Sequence, residues 1–158
     1  MEGNGKLVLK GINELEVVGR SEDVYFVQGF LSHHDIKVRR AARITIATLK
    51  PEEATFCLIN LIDKLDSHEK KCLYKSLKKL SVNQLPDFSV YFDCCSESAI
   101  CFSIDMAAKF NQTEAIQQIR NFIFHHSKEV SHSAIEALKS LQYGNDWISE
   151  TMIYKKCL

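Results

Sequence analysis

The 158-residue chain is short of proline, with two, and of tryptophan, with one, and it has no net charge. Twenty basic residues balance twenty acidic ones, so no general attraction to nucleic acid is built into it. No apolar run approaches the roughly 18 to 20 residues of a membrane helix, and no basic segment followed by an apolar one opens the chain. A C-x-x-C pair, a phosphate-cradling glycine loop, a nucleophile elbow and an H-E-x-x-H motif are all missing. The carboxylates are scattered, with no convergent pair. These gaps argue against catalysis, and no metal or cofactor is expected. With 46% hydrophobic and 25% charged side chains, the chain reads as one ordinary domain.

What is present is repetition. Asn4, Asp35, Asp66, Ser96 and Ser127, all with helix-capping side chains, recur at intervals of 31, 31, 30 and 31 residues. Three residues past each stand Leu7, Val38, Glu69, Ala99 and Val130, where Glu69 is the lone polar exception. Seven past stand Gly11, Ala42, Leu73, Ser103 and Ala134, mostly small, as expected where one helix crosses closely over another. Eleven and fourteen past are uniformly apolar, with Leu15, Ile46, Leu77, Ala107 and Leu138, then Val18, Leu49, Leu80, Phe110 and Leu141. The spacing 3, 7, 11, 14 is one face of a 3.6-residue helix.

A second apolar set precedes each cap: Val27, Leu58, Phe88 and Ile119 at eight residues, with Ile62, Phe92 and Ile123 among those at four. Each unit is therefore a pair of helices, A then B, whose turn ends in the B-helix cap. Pro51 and Pro86 stand where the second and third A helices should begin. The register predicts a B helix over 4–19, A/B pairs over 21–50, 51–82, 85–111 and 113–143, and a final A helix over 146–156 after a stop at Gly144, Asn145 and Asp146. That is roughly ten helices of one repeat domain spanning 1–158, either a piece of a longer protein or a short one closed by half-repeats.

Cysteine and histidine are the residues that could suggest a site. Cys57, Cys72, Cys94, Cys95, Cys101 and Cys157 share no matched spacing between repeats, which favours free thiols and a reducing, cytoplasmic compartment. His33-His34 and His125-His126 each stand directly before a B-helix cap. Three repeats separate them, so they read as polar turns rather than a shared metal site.

The stretch Asp35-Ile36-Lys37-Val38-Arg39-Arg40-Ala41-Ala42, continuing to Ile46 and Leu49, resembles the D-x-x-V-R-x-x-A pattern of HEAT-repeat proteins. The period resembles the short bacterial HEAT-like repeats, and neither tetratricopeptide nor ankyrin signatures occur. The resemblance implies an all-α, armadillo-like fold, a right-handed α-α superhelix of antiparallel pairs with the B helices on the concave side. It also implies a ladder between repeats from Asp35 and Arg39, then Asp66 and Lys70. HEAT-like iron hydroxylases use repeated His-Glu pairs, and only His68-Glu69 matches here.

The function expected on that fold is a non-enzymatic protein-binding scaffold, with another protein as its partner on the concave B-helix face; the basic patch there suits an acidic one. Arg40, Arg43, Lys71, Tyr74, Lys75 and Lys78 fall opposite the core by helical angle, as a local basic patch. Ile104 and Ile135 share the column eight past the cap with Ile12, Arg43 and Tyr74; that column is either an open apolar stripe or packing between B helices. The alternative is that the patch binds an anionic ligand or nucleic acid. Asp105 and Glu136, where the next repeats match Lys75, argue against a continuous groove.

Overall fold

The computed structural model describes residues 2–94 and 96–141, so the expected final helix over 146–156, its preceding stop, Cys95 and Cys157 lie outside the described residues. Among the described residues all regular structure is helical, α-helices joined by short 3-10 turns, with no strand. Contacts gather into two compact units, residues 1–86 and 87–158.

The first unit holds α1 (Glu2–Val18), α2 (Val24–Gln28), α3 (Ile36–Leu49), α4 (Pro51–Leu58) and α5 (Ser67–Leu77). Helix α3 packs against both α1 and α5, while α2 and α4 also pack on it. Ile12, Val38 and Ala41 form a buried cluster against which Val8, Leu9 and Phe30 pack. In the second unit α6 (Glu97–Lys109) packs on α8 (Lys128–Ser140), and α7 (Ile116–Asn121) also packs on α8.

The caps follow from local chemistry. Asp35 accepts from the Lys37 N–H at 2.8 Å, and Asp66 accepts from the N–H groups of His68 and Glu69. Ser96 Oγ accepts from Ala99 N–H. Ser127 holds the same cap position before α8, but its hydroxyl bonds Glu129 instead. Each filled cap is worth about 1 kcal/mol. Asn4 differs from expectation: α1 starts at Glu2, so Asn4 is inside the helix. At the other end, a side-chain carbon on Gly19 would lie 2.4 Å from the Leu15 carbonyl oxygen.

The columns three, seven and eleven past the cap are buried as the spacing implies, whereas in the column fourteen past it only Leu141 is buried and Leu49, Leu80 and Phe110 are half-buried. Val38, Ala42, Ile46, Leu73, Leu77, Ala99, Ala107, Val130, Ala134 and Leu138 are at most 1% exposed. Fully burying one of the larger aliphatics contributes about 1.5–3 kcal/mol. The first copy departs from this. Leu7 and Val18 are exposed, and a Cβ on Gly11 would meet nothing within 4 Å, so no close helix crossing occurs there.

The A segments are shorter and more irregular than expected. Pro51 does open α4 at the first helical position. Pro86 does not open a helix. Leu85 before it is extended, as the proline ring requires, and the third A segment is reduced to 3-10 turns at Val82–Gln84 and Phe88–Tyr91. Beyond the end of helix α6 at Lys109, Asn111 has a φ of 55° that lets Gln112 N–H reach back to the Ala107 carbonyl.

Candidate functional site

The basic patch expected on α3 and α5 divides into three different environments. Arg43 is buried, at 6% exposure, and so is Glu69, at 5%. Arg43 Nη1 donates to Glu69 Oε1 at 3.2 Å and to the Lys64 carbonyl at 3.1 Å. The other Glu69 oxygen accepts from the Asp66 N–H at 2.7 Å. Arg43 is therefore no part of an open surface, because its charge is held between α3 and the start of α5. This also accounts for Glu69 on an otherwise apolar face: it completes a capping box and neutralises a buried guanidinium.

Arg40 is exposed but occupied. Its Nη2 lies 3.0 Å from Asp66 Oδ2, an ion pair between neighbouring B helices. The Glu69 backbone N–H holds the Asp66 carboxyl below the usual carboxylate value, with smaller help from Arg40 and His68. The inter-repeat contact expected from Arg39 thus comes from the adjacent arginine. Arg39 Nη1 instead donates to the carbonyls of His33 and His34, tying down the turn before its own helix.

What remains is a row on α5 and its C-cap residue, Lys78. Lys71, Lys75 and Lys78 are exposed, and residues spaced i, i+4, i+7 share one helical face, here the face opposite Leu73 and Leu77. None of the three makes an ion pair among the described residues, while half-buried Tyr74 has the Lys78 ammonium 5.8 Å from its ring centre. Like charges at i, i+4 cost a few tenths of a kcal/mol on a helix, so the row is tolerated rather than stabilising.

In the second unit the matching positions carry the opposite charge and are internally satisfied. Asp105 pairs with Lys109, and Glu136 pairs with Lys139 at 2.8 Å, which holds the Glu136 carboxyl below its usual value. Ile104 is fully buried and Ile135 half-buried. Together with buried Ile12 and Arg43, this makes the column eight past the cap mostly interior packing, so Ile104 presents nothing to a partner.

The two histidine pairs are built alike. His33 Nδ1 accepts from the Asp35 N–H at 3.1 Å, and His125 Nδ1 accepts from the Ser127 N–H at 3.2 Å. Rings of adjacent histidines lie 4.2 and 4.1 Å apart, and Phe30 and Phe122 tilt against His33 and His125. An accepting Nδ1 leaves the hydrogen on Nε2, so these rings serve the cap. Among the described residues no group of three or more His, Cys, Asp or Glu side chains could hold a metal ion.

Cys57 accepts from Gln28 Nε2 at 2.9 Å, and burial pushes its thiol above the usual value. It carries a free thiol, as do Cys72 and Cys101. No helix among the described residues is long and apolar enough to cross a membrane. The chain matches no protein-family model, no curated protein and no solved structure.

Proposed function

We propose that the chain is a HEAT-like helical-repeat scaffold, without catalytic activity, that binds an acidic segment of another protein along α5. The lysine row of Lys71, Lys75 and Lys78 carries this reading. Three exposed cations on one helical face lack an acidic partner among the described residues, while Arg40 and Arg43 beside them are each neutralised by a carboxylate. An acidic peptide would relieve the repulsion within the row and pack its aliphatic stems against Tyr74 and the lysine side chains. The recurring caps at Asp35, Asp66, Ser96 and Ser127 support the repeat part of the reading, with the B helices as the binding side.

The test is titration of the full chain with a glutamate-rich peptide and, separately, with a DNA duplex. Peptide binding that weakens with salt, and that falls by about tenfold or more in Lys71→Glu/Lys75→Glu, is the expected result. Both substitutions are on exposed side chains, so circular dichroism should be unchanged. Tighter binding to the duplex would replace this reading with the nucleic-acid one, and no binding to either would remove the row from consideration.

A further inference from the structure

Helix α1 carries an apolar face that nothing among the described residues covers. Leu7, Val17 and Val18 are 70, 82 and 76% exposed. An open hollow of about 760 Å³ lies along the same side of the helix, from Lys6 to Val18. At 100° per residue, Leu7, Lys10, Glu14 and Val17 fall within about 80° of one another, opposite the buried Ile12 that faces α3. Large apolar side chains gathered on one exposed face mark a docking surface more often than a bare one.

The order of charges along that seam selects its occupant. We propose that α1 pairs with α1 of a second copy of this chain, antiparallel, about a two-fold axis near residue 12. In that register residue numbers facing each other sum to 24. Leu7 then meets Val17 of the second copy at both ends, and Lys10 meets Glu14 twice in the middle. Parallel pairing sets Lys10 against Lys10 and Glu14 against Glu14, which like-charge repulsion disfavours. The seam is therefore self-complementary in one orientation only, as an isologous contact requires. Within one chain Lys10 and Glu14 are already oriented together, 3.8 Å apart and both highly exposed, so each can turn to the second copy without breaking a buried contact.

A single helix pair falls in the small, weak class of interfaces, so association belongs in the micromolar range. Sedimentation equilibrium on the full chain, from micromolar to several hundred micromolar, should show a monomer–dimer equilibrium. Lys10→Glu sets four carboxylates together at the axis and should weaken the dimer by about tenfold or more, whereas Lys10→Glu/Glu14→Lys restores opposite charges in the same register and should recover it. All four positions in the two copies are exposed, so folding is spared. A strict monomer overturns the proposal, including one whose α1 amides are protected by another part of the same chain. A dimer indifferent to Lys10→Glu places the interface elsewhere, and a dimer not recovered by the double variant overturns the antiparallel register.

Discussion

The guanidinium of Arg43 on α3 and the carboxylate of Glu69 on α5 are joined at 3.2 Å with less than a tenth of either side chain exposed. This buried pair fastens two neighbouring B helices beside the exposed Arg40–Asp66 ion pair. It also links tertiary packing to a helix start, because Glu69 uses its second oxygen on the Asp66 N–H. One carboxylate thus ends the turn, caps the helix and meets the cation.

Breaking that pair from one side should be costly. Arg43→Met keeps an aliphatic stem of similar reach but leaves buried Glu69 without its cation, a loss that destabilises by about 3–5 kcal/mol. Adding Glu69→Gln removes the charge while keeping an oxygen for the Asp66 N–H, so the double variant should recover most of the loss. Urea unfolding of the two variants and the parent decides the matter. Equal instability of the single and double variants would mean that the cation acts through packing alone.

A pH dependence follows from Asp66. The folded state holds this carboxyl below its unfolded value, first through the Glu69 N–H and then through Arg40, so the protonated unfolded chain gains on the folded one as acid is added. The stabilisation is complete above the unfolded value of about 3.9 and is lost as pH falls through the lower folded value. Asp66→Asn keeps a capping oxygen and removes the charge. Its melting temperature should fall less steeply than the parent's below about pH 4. Glu129 and Glu136, also held low, keep a residual slope in the variant. Parallel curves would show that the Asp66 charge is immaterial.

The all-helical character and most of the buried columns were legible in the sequence, because a strict apolar spacing leaves few alternatives. Val38, Ile46, Leu73, Leu77 and Leu138 are buried where the period puts them. The candidate site was less legible, because helical angle assigns a residue to a face without saying what stands opposite. Arg43 and Tyr74 share one column, yet Arg43 finds Glu69 across the helix interface while Tyr74 meets Lys78. The signal was available in two places at once: a lone acid in an apolar column and a lone base in the adjoining column of the preceding repeat. Pro86 misled for a different reason. An extended residue before it, Leu85, is compatible with a helix start but does not make one, and the next turn begins at Phe88 with Asp87 as its cap.

The histidine pairs offer a final discrimination between a cap role and a surface role. Ser127 is 7% exposed, so its N–H depends on His125 Nδ1 for a partner. Its neighbour His126 points outward, its side chain 82% exposed, with Glu97 3.3 Å away. His125→Ala should therefore cost about 1–3 kcal/mol, the range for a buried donor left unsatisfied. His126→Ala should fall within about 0.5 kcal/mol of the parent. His125→Asn restores a short-range acceptor two residues before the cap and should regain part of the loss. Thermal melts of the three variants read this directly; a His125→Ala melt matching that of His126→Ala would leave the Ser127 N–H satisfied by something other than the ring.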